Sequence, residues 1–410
     1  MREAEAAGQP TEAVRQALMD AIEAAAARGD IEAVTVHQMH ALHDRPYLHG
    51  AYPGRLRHVA YFLSHVTRPC YLAGTVDLVP NHFSEVFSHI THRTNDPLVV
   101  ATASPPDRHG YFSLGVNADY TSSFIGRARF FLEVNPRMPR TFGRNQIHCS
   151  QVEGWVVNER ELDEAQPPEM DANDHTIAGY VADRIPDGAC LQTGIGAIPN
   201  AIMSALSHHR DLGVHTELLS DGLVDLVEKG VVNGVRKLHN RTKVVGTFAL
   251  GTRRLYDFLH ENTAVELWSA RYVNDPRLLS RERNFVSINA TLSVDFLGQC
   301  ASETLGGKYY SSSGGQVDFA RGAMYSEGGQ GFIVLHSTAK RSGVSRIVPQ
   351  LPAGEAVTLS KNTVDKVVTE YGVAELRAKT VRERAAALIA VAHPDHRDQL
   401  THEAKQLGYL

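Results

Sequence analysis

The chain has 410 residues, enough for two or three domains rather than one. Hydrophobic residues make up 43% and charged residues 21%, an ordinary balance for a globular protein, and the net charge of −5 gives no argument for a nucleic acid or an anionic membrane as partner. Cys70, Cys149, Cys190 and Cys300 lie far apart with no C-x-x-C pair, which argues against a disulfide framework or a structural zinc site and for reduced thiols in a cytoplasmic protein.

Residues 1–30 lack an apolar core segment and carry several glutamates, so they do not read as a signal peptide. No apolar run is long enough to span a bilayer. Thr11 is placed to cap a helix with Val14, Leu18, Ile22 and Ala25 on one face, ending at Gly29. Residues 31–36 read as a strand. His37, His40 and His43 follow at spacings of three beside Asp44, but no known ligand motif has that pattern, and hydrogen-bonded or solvated histidines are the plainer reading. Residues 57–66 and 83–90 predict helices. Residues 70–74 and 98–103 predict buried strands, 104–110 a turn and 128–134 a further strand. Strands alternating with helices predict a mostly parallel sheet covered on both faces.

Residues 158–174 are rich in Glu, Asp, Pro and Asn and lack apolar periodicity. They read as a linker, with 161–174 joining an N-terminal domain (1–160) to a C-terminal domain (175–410). The C-terminal part is organised around residues 189–230. A short strand runs into Gly194-Ile195-Gly196, then a helix with Ile198, Ala201, Ile202, Ala205 and Leu206 at helical spacing. Pro199 falls in the first turn, where its missing N–H costs nothing. Free N–H groups at such a helix start, beside bare glycines, suit an anion such as a phosphate. Glu217 ends the next apolar run (Leu212, Val214), and Asp221 can cap a helix that stops at Gly230. Ligands bind at strand ends in parallel sheets. An anion seat and a carboxylate at neighbouring strand ends therefore imply an activated, phosphate-bearing substrate.

Downstream, strands are predicted at 242–250, 265–268 and 285–289, a helix at 253–260 and a half-buried strand at 291–298. Tyr272-Val273-Asn274-Asp275-Pro276 reads as a polar turn. Gly306-Gly307-Lys308 lacks the upstream glycine and the following Ser/Thr of a nucleotide-triphosphatase loop. Residues 311–319 hold a second glycine turn, Gly314-Gly315, and residues 333–335 a buried strand opening onto Ser337-Thr338-Ala339-Lys340. Residues 357–376 predict strand, turn and short helix, and Thr380 caps a closing helix.

No serine-hydrolase elbow or zinc-protease motif is present, and the glycine turn lacks the third glycine of a dinucleotide site. His148 and Cys149 are adjacent, and neighbours in an extended chain face apart, which argues against a thiol–imidazole pair. That leaves a carboxylate or water as nucleophile.

Taken together, Gly-Ile-Gly-Ala-Ile-Pro, His-Thr-Glu-Leu-Leu-Ser-Asp-Gly, Tyr-Val-Asn-Asp-Pro, Ser-Gly-Gly-Gln-Val-Asp-Phe-Ala-Arg-Gly-Ala and Ser-Thr-Ala-Lys closely resemble the acetyl-CoA hydrolase/transferase family. The nearest branch is the 4-hydroxybutyrate CoA-transferases among class I CoA-transferases. Asp107-Arg108-His109-Gly110-Tyr111-Phe112 and Glu133-Val134-Asn135 resemble the family's first domain. One departure stands out: the family's opening strand and glycine-rich turn have almost no counterpart before Ala7-Gly8-Gln9-Pro10, so either the start is late or the first domain lacks an edge strand.

The resemblance implies two similar open α/β domains with mostly parallel sheets and an active site in the interdomain cleft. It implies Glu217 as the nucleophile of a ping-pong CoA transfer through a glutamyl-CoA thioester, with an acyl-CoA hydrolase on the same scaffold as the alternative. Gly194, Ile195, Gly196, Ala197 and Ile198 match the CoA-binding turn, Gly315 a backbone donor to the thioester, Asn274 an orienting amide, and Lys340 a CoA contact. Gly314 reads as a structural turn, and residues 324–332 as a border of the acyl pocket. No permanently bound cofactor is implied; coenzyme A and acyl-CoA are substrates, a small carboxylic acid the acceptor, and a homodimer the expected assembly.

Overall fold

A computed structural model describes residues 17–194 and 196–410. The Thr11 cap, Val14 and the segment Ala7–Pro10 therefore lie outside the described residues. In the first half, Val34–Gln38, Leu56–Ala60 and Val76–Leu78 form one parallel sheet, and Leu98–Ala103, Arg129–Val134 and Gly154–Val157 a second. Phe130, Leu132 and Val134 alternate onto the core face of the second sheet, where Val86, Phe87 and Ile90 of helix Val86–Arg93 meet them.

The second half is built on one six-stranded sheet. Its order is Gly213–Val214, Cys190–Thr193, Phe285–Ala290, Gln330–Val334, Lys366–Thr369 and Gly372–Glu375, parallel except for the last pair. Helices Ala172–Ala182 and Ala197–Ala205 bury Ile177, Val181, Ala201 and Ile202 against Leu191, Val286, Ile288 and Phe332. Helix Gln316–Tyr325 covers the other face with Val317, Phe319, Ala320 and Ala323. Sheets buried on both faces have strands that are apolar throughout, as Phe285-Val286-Ser287-Ile288 largely is. The halves are stitched together by Phe142–Gly143, which pairs with Val265–Leu267. A Cβ at Gly143, at φ +116, would overlap the Leu267 backbone, so only glycine lets the strands close.

Several elements differ from the sequence reading. Residues 57–66 are not helical: Leu56–Ala60 is the middle strand of its sheet, because pairing on both sides outweighs local periodicity. Residues 70–74 are not a strand but the end of helix Thr67–Ala73, which buries Thr67 and Cys70 and closes on Gly74 at φ +79. Leu98–Ala103 is buried on one face only, with Leu98 and Val100 exposed. The single strand expected over 242–250 is two, Val244–Gly246 and Phe248–Ala249. Residues 291–298 keep only Ser293–Asp295 as strand, and 357–376 ends in the hairpin Lys366–Thr369 and Gly372–Glu375 rather than a helix. Helix Arg253–Leu259 and the Thr380 cap, whose hydroxyl accepts from the Glu383 N–H at 3.2 Å, are as expected. His37 bonds the Tyr61 hydroxyl at 3.0 Å and His43 the Asp163 carboxylate at 3.2 Å, so the two are hydrogen-bonded separately. Among the described residues no helix is long and apolar enough to cross a membrane.

Candidate active site

Strand Gly213–Val214 hands the chain directly to Glu217. The His215 N–H donates to the Leu191 carbonyl and the Thr216 N–H to the Val245 carbonyl, both at 3.0 Å. The Glu217 carbonyl accepts from the Thr247 and Phe248 N–H groups at 3.0 and 3.2 Å. The backbone is thus pinned on both sides of one residue. Neighbouring side chains on an extended chain point apart. Thr216 turns to the glycine strand, where its hydroxyl donates to the Thr193 carbonyl at 3.0 Å and accepts from the Thr193 N–H at 3.2 Å. Glu217 turns the other way.

There it meets two neutral donors. Asn274 is fully buried, and its Nδ2 donates to Glu217 Oε2 at 2.7 Å. The segment expected to be a polar turn is a corner between two short helices, Ala270–Val273 and Pro276–Leu279, and Asn274 sits at that corner. His215 fixes the corner: burial holds its imidazole neutral, and its Nε2–H donates to the Val273 carbonyl at 3.0 Å. The second donor is the Gly315 N–H, at the start of helix Gln316–Tyr325. A Cβ on Gly315 would overlap both Glu217 Oε2 and Asn274 Nδ2, so glycine is required for the approach, not for its φ of −93. Gly314 does need positive φ, +53, and a Cβ there would lie 3.8 Å from both Glu217 Oε1 and the ring edge of Phe62. Phe62 comes from the first half, so both halves border the carboxylate.

Glu217 keeps some accessible surface, yet protein encloses it densely enough that burial pushes its carboxyl up to about 7. The Asn274 amide and Gly315 N–H pull it back only part of the way, and among the described residues no positively charged side chain acts on it. A carboxylate held between neutral donors, poorly solvated and still reachable, is a basic and nucleophilic group near neutral pH.

Residues 3–163 match the acetyl-CoA hydrolase/transferase N-terminal domain and residues 251–404 its C-terminal domain. The chain belongs to the acetyl-CoA hydrolase/transferase family. It is similar to a succinyl-CoA:cyclohexane-1-carboxylate CoA transferase of Geobacter metallireducens, 44% identical over 404 residues covering 98% of this chain and 91% of that one. It is also similar to a 4-hydroxybutyrate coenzyme A transferase of Clostridium kluyveri, 45% identical over 352 residues, covering 85% and 82%. The crystal structure of RipA from Yersinia pestis superposes with a TM-score of 0.91 at 38% identity, covering 96% of this chain and 92% of that one. This chain is accordingly an enzyme of the CoA-transferase kind, on the mixed α/β fold of such enzymes.

In this CoA-transferase fold the sequence-predicted site residues fall into two groups. Glu217, Asn274 and Gly315 touch, and the turn at Gly194 and Gly196 adjoins them through the Thr193–Thr216 pair. Gly196, at φ +123, starts helix Ala197–Ala205, with Ala197 and Ile198 half-buried in its first turn. Ile195 lies outside the described residues. Lys340 stands apart: its Nζ is 3.0 Å from Asp171 Oδ2, at the start of helix Ala172–Ala182.

Three expectations are corrected. Residues 324–332 border no acyl pocket beside Glu217, because they lead into the opening of strand Gln330–Val334, level with Val286, whereas Glu217 follows the far ends of the strands. Asp221 is not the cap but the first helical residue after Ser220, and its carboxylate instead accepts from the Thr252 N–H and hydroxyl. Cys149 Sγ lies 3.8 Å from His148 Nε2, because Cys149–Gln151 is a helical turn and not extended chain. His215, Thr216 and Phe62 were not picked out from sequence. Only the first two carried a signal, as the residues immediately before a singled-out carboxylate.

Proposed function

We propose that the protein moves CoA from an acyl-CoA to a small carboxylic acid by a ping-pong route through Glu217. The observation that carries this is the Glu217 carboxylate between Asn274 Nδ2 and the Gly315 N–H, with no counter-ion among the described residues. A Glu217 oxygen attacks the thioester carbonyl carbon, the C–S bond breaks, and CoA leaves as a thiolate with an acyl-glutamyl anhydride behind it. The thiolate then attacks the Glu217 carbonyl carbon, the C–O bond breaks, and the first acid leaves as its carboxylate. The acceptor carboxylate runs the same two steps backwards from the glutamyl-CoA thioester. Thioester and anhydride are both high-energy, so neither exchange is steeply uphill.

The Gly315 N–H is proposed to donate to the oxyanion that forms at the Glu217 carbonyl, and Asn274, which bonds Oε2, to orient the reacting group. The turn at 194–198 and Lys340 are proposed to hold CoA, the turn through the free N–H groups of a helix start. Desolvation favours the neutral acylated side chain over the free carboxylate, consistent with a covalent intermediate.

Incubation with an acyl-CoA followed by intact-mass measurement tests this. The expected product is protein heavier by one CoA less one water, absent in Glu217→Ala and discharged by added acetate, butyrate or 4-hydroxybutyrate. No adduct in the unmodified protein across a panel of acyl-CoA donors would overturn the proposal. Free CoA released at a rate indifferent to the acceptor acid would assign the site to hydrolysis.

A further inference from the structure

Helix Gln316–Tyr325 carries a carboxyl that the chemistry above leaves unused. Asp318 is 4% exposed, lies within the first turn of the helix that follows Gly315, and has no positive partner among the described residues. Its two oxygens accept from one residue, Ser84, from the hydroxyl at 3.0 Å and from the N–H at 3.3 Å. Ser84 belongs to the opposite half of the molecule. Two more bonds join the same segments: the Phe83 N–H donates to the Gly314 carbonyl at 3.0 Å, and the Ser313 hydroxyl to the Asn81 carbonyl at 2.6 Å. These bonds tie 81–84 to 313–318, with Gly315 inside the bound stretch.

We propose that Asp318 is a positioning residue for Glu217: through Ser84 it clasps the first half of the chain onto the glycine turn, and its charge acts on the nucleophile. The clasp fixes where the Gly315 N–H points. Asp318 lies three residues beyond Gly315, whose backbone closes on Glu217 Oε2. The repulsion between the two carboxyls registers on Asp318 rather than on Glu217, and by reciprocity a negative neighbour disfavours the Glu217 anion. When Glu217 is acylated it becomes neutral and the repulsion disappears, so Asp318 favours the covalent state. That consequence rests on the CoA-transfer reading; the clasp and the electrostatic coupling do not.

Burial pushes Asp318 up to about 7, Ser84 pulls it down, and the Glu217 charge raises it again. Glu217 itself titrates at about 7. Two interacting carboxyls in the same range lose their protons in two steps that belong to the pair. The other titratable groups at the junction are Glu85, beside Ser84, and His82, on which Glu85, Arg321 and His89 act. Arg277, on the packed helix Pro276–Leu279, is exposed and paired with Asp275.

The test follows the Glu217 carboxyl by carbon NMR in protein labelled with carboxyl-13C glutamate, its signal assigned by loss in Glu217→Gln. The unmodified protein should titrate in two overlapping steps. Asp318→Asn should leave one step with its midpoint lower by about one pH unit, and the acid limb of CoA exchange should move with it. An unchanged titration curve would overturn the electrostatic half of the proposal. Ser84→Ala keeps the charge and cuts the clasp, so deuterium uptake should rise together in peptides covering 81–85 and 313–318. A rise in one alone, or in neither, would overturn the clasp. Both readouts are independent of turnover, so protein that forms no CoA adduct yet shows them would reject the transferase reading and keep this one.

Discussion

Glu217 and Asp171 are both carboxylates at the same end of the six-stranded sheet, and their surroundings differ in each respect that sets an ionisation. Burial raises both, but Asp171 also accepts from the Asp174 N–H at 3.0 Å and pairs with Lys340, which hold it below the ordinary carboxylate range. Asp174 returns the bond, accepting from the Asp171 N–H at 2.9 Å, and His336 Nε2 approaches it at 2.8 Å. The ligand atoms of Asp171, Asp174 and His336 lie within 4.8 Å of one another, close enough for a cation, yet the cap and the imidazole already use them. Among the described residues Glu217 has two neutral donors and no cation, and it rises to about 7. A carboxylate surrounded by charge and backbone donors ends a helix quietly; one deprived of them is poised to react.

The comparison breaks hardest at Gly315. A methyl group there occupies the space of Glu217 Oε2 and Asn274 Nδ2. Gly315→Ala should cut kcat by about 10²–10³-fold, the range for losing one oxyanion donor. Near-normal turnover would show that the carboxylate is not held as described. Asn274→Ala removes the 2.7 Å donor but leaves the Gly315 N–H. A loss of about 10²-fold in kcat, the lower end for removing one donor, is expected. The sign of the pH effect is fixed: the amide lowers the Glu217 pKa, so its removal moves the acid limb of the pH–rate profile upward.

A stability measurement sharpens the same contrast. The folded Glu217 pKa of about 7 lies above its ordinary value of 4.5. Its contribution is therefore most favourable below 4.5 and is lost as pH rises through 7. Glu217→Gln, which keeps the shape and removes the charge, should be more stable than the unmodified chain by up to about 3 kcal/mol at pH 8. The difference should vanish in mild acid, where both side chains are neutral. Urea melts across that pH range read it directly, and a constant difference would mean the raised pKa is absent.

Much of this was legible from the chain, and the boundary is instructive. The strand–glycine turn–helix at 190–205 could be read because Gly194, Gly196 and Pro199 are local signals. The segments 57–66 and 70–74 were exchanged because strand pairing across three segments and burial of Thr67 and Cys70 are decided by distant partners. Glu217 stands out locally as a carboxylate ending an apolar run, but its role, and Asn274 and Gly315 altogether, follow from a resemblance spread over the whole chain. Asn274 and Gly315 are brought to Glu217 by tertiary packing that no local pattern encodes. Phe62 and Ser84 had no such aid: they reach the site only because the first half folds against the second.

The smallest effect is expected at Lys340, where the comparison is most easily upset. Its ion pair with Asp171 is well exposed, at 45% and 41% of the two side chains. Exposed pairs contribute about 0–1 kcal/mol, so Lys340→Ala should barely move the melting temperature at neutral pH. Asp171 has a depressed pKa, so its contribution is present above the unfolded value and is lost as pH falls through the folded one. Without Lys340 that loss should begin at a higher pH. If Lys340 holds CoA as proposed, KM for acyl-CoA should rise several-fold at unchanged kcat, and the difference should shrink with added salt. A fall in kcat as large as that of Asn274→Ala would instead join Lys340 to the nucleophile, and the two carboxylate clusters would have to be treated as one site.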